Sequence, residues 1–180
     1  MGFLKEVLYR FRGEYTTEKL IKMGMKVGKN FNRLNGVILD PSHCWLIEIG
    51  DNVTIAPRVH ILCHDASTKQ FLGYTKIGRV NIGNNVFVGA DTVILPNVTI
   101  GNNVIIGANS TVTKNIPDNT VFIGSPARRL CTIDEYLAKE KDNMEKFPCY
   151  SEAYTLRRNI SDKMKKQQRK ELEHHEGFVV

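Results

Sequence analysis

Five histidines offer the clearest acid–base chemistry in this chain: His43, His60, His64, His174 and His175. An imidazole titrates near neutrality and can take a proton from a hydroxyl or an amine. His174 and His175 stand in a polar tail and read as solvated. His60 falls at the sixth place of a repeating hexad, read as a corner where an exposed polar residue is unremarkable. His43 lies in an irregular stretch, just after Asp40-Pro41-Ser42. His64 differs because it immediately precedes an expected loop, which would put it at the lip of a cleft. Its alternative reading is a structural histidine satisfied by its neighbours. A three-histidine zinc site would need ligands from successive rungs or a second chain. No histidine occurs between 65 and 173, so no metal is expected. Neither a Ser-His-Asp hydrolase signature nor a P-loop is present.

The element that must position His64 is a six-residue repeat running unbroken from 82 to 117. Ile82-Gly83-Asn84-Asn85-Val86-Phe87 is followed by Val88-Gly89-Ala90-Asp91-Thr92-Val93, and the pattern continues to Ile116-Pro117. A branched aliphatic opens each hexad, Gly often follows, and a small or β-branched residue sits fifth. Short repeats of this spacing are a signature of parallel β-helices. Each hexad is one strand plus a turn, and three hexads close a triangular coil. Coils stack about 4.8 Å apart, with backbone bonds running between them. The opening residues 82, 88, 94, 100, 106 and 112 are expected to point inward, and Gly and Asn to take corners that favour φ > 0. The same phase appears at Ile49, Ile55 and Ile61. Between 61 and 82 the spacing exceeds whole hexads by three residues, so a loop leaves the stack, placed at 67–76.

The chain of 180 residues carries a net charge of +6, which is modest. Lys163, Lys165, Lys166, Arg169 and Lys170 alternate with acids and lack an aromatic platform, reading as a solvated helix face and not a nucleic-acid surface. Lys114, Arg128 and Arg129 lie at the end of the repeat, where an anionic ligand could meet charge and backbone together. No apolar run is long enough to span a membrane. The start, with Lys5, Glu6 and Arg10, reads as no signal peptide, and Glu6 breaks a myristoylation motif. Four cysteines without C-x-x-C spacing read as reduced thiols. Helical spacing is expected over 3–12, a short helix from Thr16 or Thr17 to Met23, a helix from Ile133 to about Asn143, and a restart at Ser161. This divides the chain into an N-terminal helical cap (1–24), the repeat domain (25–131) and a C-terminal helical extension (132–180).

The hexads, His60-Ile61-Leu62-Cys63-His64-Asp65, and Val112-Thr113-Lys114-Asn115-Ile116-Pro117 with Gly124-Ser125-Pro126-Ala127-Arg128 together resemble the hexapeptide-repeat acyltransferases. The likeness covers about residues 25–131 and is nearest to the maltose/galactoside O-acetyltransferase-like group, including enzymes of surface polysaccharides. It implies an all-β solenoid, a left-handed parallel β-helix with short N-terminal helices and a C-terminal helical appendage. It further implies a cytoplasmic homotrimer binding acetyl-CoA between subunits, with a sugar or nucleotide-sugar acceptor. His64 matches the family's catalytic base, which would deprotonate a hydroxyl as it attacks the thioester directly. Asp65 either orients that imidazole or makes a hydrogen bond at the loop start.

The family's cofactor contacts fall on Phe87, Ala90, Ala108, Thr113, Lys114 and Arg128. Ala90 is also a candidate oxyanion donor through its backbone N–H. Phe87 replaces a Trp frequent in the sugar acetyltransferases. Asn35 and Asp40 match sugar-contact positions through a gapped alignment. Alternatives are an N-acetyltransferase of an amino-sugar nucleotide, a streptogramin-type drug acetyltransferase, or a non-catalytic solenoid used for assembly.

Overall fold

The computed structural model describes residues 14–180, so the helix expected over 3–12 lies outside the described residues. The hexads wind the chain through three parallel sheets in turn. The first sheet takes β1 (Lys26–Val27), β4 (Ile47–Ile49), β9 (Val80–Ile82) and β12 (Val98–Ile100). The second takes β2 (Asn32–Arg33), β5 (Thr54–Ile55), β10 (Val86–Val88), β13 (Val104–Ile106) and β15 (Thr120–Ile123). The third takes β3 (Ile38–Leu39), β6 (His60–Ile61), β11 (Val93–Ile94) and β14 (Thr111–Val112). Each strand therefore bonds to its counterpart one coil away, as in Val86↔Val104 and Val88↔Ile106.

The six opening aliphatics from Ile82 to Val112 are buried, and so are the fifth-position residues Val86, Thr92, Val98, Val104, Ser110 and Ile116. The strand centre, the sixth position, faces out, so Phe87 is exposed and His60 sits within β6 instead of at a corner. Interior hydroxyls are satisfied locally, for Ser110 Oγ donates to the Gly107 carbonyl at 2.7 Å. The corners need refinement relative to the sequence reading. Positive φ falls on the fourth residue, with Asn85 at 56° and Asn103 at 54°. The second-position glycine serves close approach instead: a Cβ on Gly83 would lie 2.7 Å from the Gly101 carbonyl oxygen. Asn52, Asn85, Asn103 and Asn119 bond side chain to side chain down one corner at 2.8–3.0 Å.

At the N-terminal end, α1 (Thr17–Lys22) is capped by Thr16, whose Oγ1 accepts from the Lys19 N–H at 3.2 Å. Its Leu20 is fully buried in the same core as the coils. At the other end, β15 turns through Gly124–Ala127 and returns antiparallel as β16 (Arg128–Thr132), closing the second sheet.

The excursion is wider than the 67–76 expected. It opens with β7 (His64–Asp65), runs through a 3₁₀ turn and α2 (Lys69–Leu72), and closes with β8 (Lys76–Ile77), antiparallel to β7. His64 is thus the first residue of the paired base and not the residue before a free loop.

A second compact unit spans Asp134–Val180. It contains most of α3 (Ile133–Lys146), a parallel pair of β17 (Cys149–Tyr150) and β18 (Phe178–Val179), and α4 (Asp162–Glu171), which Ser161 caps. The apolar end of the chain is therefore held through Phe178. Among the described residues no helix is long and apolar enough to cross a membrane.

Candidate active site

The corner that follows the third sheet is interrupted in two consecutive coils. Regular coils repeat every 18 residues, as Val93 pairs with Thr111. Ile38, however, pairs with His60, 22 positions on, and His60 pairs with Val93, 33 positions on. The extra residues, four and fifteen, leave the stack at the same corner and pile onto each other. The shorter insertion contains Asp40, His43 and a 3₁₀ turn over Cys44–Leu46; the longer one opens with His64.

This stacking brings Asp40 Oδ2 to 2.5 Å from His64 Nδ1. The Asp40 carboxylate is fully buried, while His64 is 37% exposed. Oδ2 also accepts from the Cys63 N–H at 2.8 Å and Oδ1 from the Ser42 N–H at 3.0 Å. Burial alone would push this carboxyl up. The hydrogen bonds from His64 and Cys63, the imidazole's charge and the Ser42 bond outweigh it and hold Asp40 below the ordinary carboxylate range. An ionised Asp40 accepting from Nδ1–H fixes the tautomer and leaves the lone pair on Nε2. Nε2 has no hydrogen-bond partner among the described residues, so it is the atom available to take a proton. Cys63, next to it, is buried, and burial first and the Asp40 charge second push its thiol up to about 12. It stays protonated and is no nucleophile.

Of the two alternatives for Asp65 the loop-start hydrogen bond holds and the orienting role falls, and the acceptor role expected of Asp40 is corrected. Asp65 does not orient His64: its carboxylate accepts from the Ser67 N–H at 2.9 Å and pairs with Lys76 Nζ at 2.6 Å across the base of the excursion. The hydrogen bonds from Lys76 and Ser67 hold it well below the usual carboxylate range. Asp40 is not placed to touch a sugar either, because its oxygens are buried and used by Ser42, Cys63 and His64. The carboxylate that sequence reading assigned to the acceptor is the imidazole's partner. The available signal was an acid directly after the core aliphatic Leu39, at a position where a polar side chain must enter the corner.

His43 was also passed over. Its ring centroid lies 5.4 Å from that of His64 and 5.3 Å from that of Trp45.

The remaining expected residues divide between two ridges of the prism. Thr113 and Lys114 follow β14, on the same ridge as Asp40 and His64, and both are exposed. Ala90 follows β10 and Ala108 follows β13, on the preceding ridge, together with exposed Asn35 of the first coil. There Gly89 lets the rungs close up, since a Cβ on it would lie 2.4 Å from the Ala108 nitrogen. Phe87 sits on the second sheet and Arg128 on β16 bonded to it. Lys114 and Arg128 have no carboxylate partner among the described residues. The third sheet separates the two ridges.

Residues 79–114 match the family model described as bacterial transferase hexapeptide (six repeats). Protein CapG of Staphylococcus aureus is 38% identical over 154 residues, covering 81% of this chain and 83% of that protein. A maltose O-acetyltransferase from Clostridium difficile 630 superposes with a TM-score of 0.55 at 43% identity, covering 61% of this chain and 59% of that one. A hexapeptide-repeat acetyltransferase from Vibrio cholerae, solved with acetyl coenzyme A, gives a TM-score of 0.54 at 29% identity over 61% and 60%. The chain thus spans about three fifths of both solved structures.

Proposed function

The chain belongs to the hexapeptide-repeat acetyltransferases, and on that premise we propose that it moves acetyl from acetyl-CoA to a sugar hydroxyl, with His64 as general base. The observation that carries this reading is the Asp40–His64 pair with Nε2 unengaged. Nε2 takes the hydroxyl proton as the acceptor oxygen bonds to the thioester carbonyl carbon. The carbon–sulfur bond then breaks, and His64 returns the proton to the departing thiolate. Asp40 holds Nδ1–H and stabilises the imidazolium formed in between, the part an aspartate plays in a hydrolase triad. No covalent enzyme intermediate is needed, in keeping with the protonated Cys63.

The residues present fit the donor. Ala90 and Ala108 leave room for a thin pantetheine arm, and exposed Lys114 and Arg128 suit its phosphates. Because these groups lie on two ridges of one chain, the complete groove forms where the His64 ridge of one copy meets the Ala108 ridge of another. That supports a homotrimer with sites between subunits, and an oxyanion donor at the Ala90 N–H from the neighbour. The acceptor is a surface polysaccharide sugar or its precursor, handled in the cytoplasm where acetyl-CoA is present.

Release of free thiol from acetyl-CoA, measured against a panel of sugars, nucleotide sugars and amino sugars, tests this. Turnover with hydroxyl acceptors that disappears in His64→Ala is expected. Activity on amines alone would replace O-transfer by N-transfer, and turnover unaffected by His64→Ala would remove the base.

A further inference from the structure

We propose that Asp40, His43 and His64 together form a binding site for a zinc-class divalent cation whose occupancy switches the transferase off. One carboxylate oxygen and one ring nitrogen from each imidazole lie within 4.8 Å of one another. The ring centroids of His43 and His64 lie 5.4 Å apart with their planes inclined at 39°. The carboxylate is already held in place by the Ser42 and Cys63 N–H groups, which limits how far it must move to accept a metal.

A separate observation points to a ligand. Nδ1 of His43 is buried and has no hydrogen-bond partner. A buried polar atom left unpaired carries the full penalty of its desolvation. Coordination through Nδ1 would remove that cost, and the transfer chemistry gives His43 no other task. Two imidazole nitrogens and one carboxylate oxygen, with a fourth position open, suit zinc or cobalt. Magnesium and calcium prefer oxygen ligands throughout and should pass the site by.

Inhibition follows whichever His64 nitrogen is used. Coordination through Nε2 takes the lone pair that would accept the hydroxyl proton. Coordination through Nδ1 moves the proton held against Asp40 onto Nε2, which then has nothing to accept with. The inhibitory half of this inference rests on the transferase reading; the binding half does not.

The test separates the two. The full chain, stripped with a chelator, is titrated with ZnCl₂ by calorimetry and with CoCl₂ by visible absorption, with neither donor nor acceptor present. One equivalent per chain is expected, with cobalt bands of a low-coordinate N/O site. His43→Gln should weaken uptake by at least roughly 10–100-fold, the scale already reached when only a partner outside the ligand shell is lost. A His174→Gln/His175→Gln chain should bind like the unmodified one, and MgCl₂ should give no heat. In assays, thiol release should fall in step with zinc occupancy and return with EDTA, and His43→Gln should keep its rate at zinc levels that silence the parent. Absence of uptake at micromolar zinc, or equal uptake by His43→Gln, overturns the site. Should His43→Gln turn over poorly, the calorimetric and absorption arms still decide. Stoichiometric, His43-dependent binding with undiminished thiol release overturns only the switch.

Discussion

Asp40 and His64 are 24 positions apart in sequence, yet Oδ2 and Nδ1 meet at 2.5 Å because two insertions leave the prism at one corner in successive coils. An asparagine at 40 keeps the size of the side chain but can present its NH₂ to Nδ1, favouring the wrong tautomer. Asp40→Asn is therefore expected to lower kcat by at least about 10²-fold, as loss of an imidazole's carboxylate partner does elsewhere. The KM for acetyl-CoA should stay put, because the Asp40 side chain is buried and its oxygens are taken by Ser42, Cys63 and His64. Steady-state thiol release at saturating acceptor measures both.

Asp65 stands next to His64 in sequence but faces Lys76 and Ser67. Asp65→Asn should leave kcat essentially unchanged, since an exposed pair of this kind contributes little. Comparing the two variants under one assay separates spatial from sequence adjacency. A collapse of kcat in Asp65→Asn and not in Asp40→Asn would reverse the assignment.

The stability of the coil end should carry an acid signature from Asp40. Its pKa in the fold is lowered, so the folded state binds fewer protons there than the unfolded chain does. The stabilisation is present above the unfolded carboxylate value, about 3.9, and is lost as pH falls through the lower folded value. Urea midpoints from about pH 6 down to pH 3 should fall more steeply for the native chain than for Asp40→Asn. Asp65, Asp91 and Glu48 are lowered too, so the difference between the curves, and not either curve, reports Asp40.

Gly89 shows which part of the repeat is set by spacing between rungs. Its Cβ would sit 2.4 Å from the Ala108 nitrogen and 2.7 Å from the Gly107 carbonyl carbon, both backbone atoms. Gly89→Ala should cost roughly 1–3 kcal/mol, the range of overpacking a tight interior. A lowered urea midpoint is the readout, and a midpoint equal to that of the native chain would show that the rungs part freely.

The coils were legible in the sequence because one-dimensional repetition makes each contact local in period, so Ile82, Val88 and Ile94 announce the interior by themselves. His64 was legible because it sits where the period fails. The failure of period located the excursion to within a few residues but not its pairing, since β7 and β8 are too short to carry a strand pattern. Asp40 was noticed for the wrong role. Two insertions of unlike length fall at one corner only through their register, and no local pattern around Asp40-Pro41-Ser42 states it. His43 escaped for the same reason: its partner is 21 positions away, on the next coil.

The division of the site between two ridges gives the last expectation. If one copy supplies His64 and another supplies the Ala108 ridge, chains carrying different lesions should repair each other. His64→Ala removes the proposed base, while Ala108→Trp adds bulk to the exposed Ala108 ridge without entering the core. Each variant alone should be inactive. Unfolded together and refolded as a mixture, they form interfaces in which an intact His64 ridge meets an intact Ala108 ridge. With random assembly in a closed ring, about a quarter of interfaces are of that kind, so about a quarter of native turnover should return. The fraction should follow the product of the two mole fractions as the mixing ratio is varied. A mixture no more active than its parents would place the whole site within a single chain.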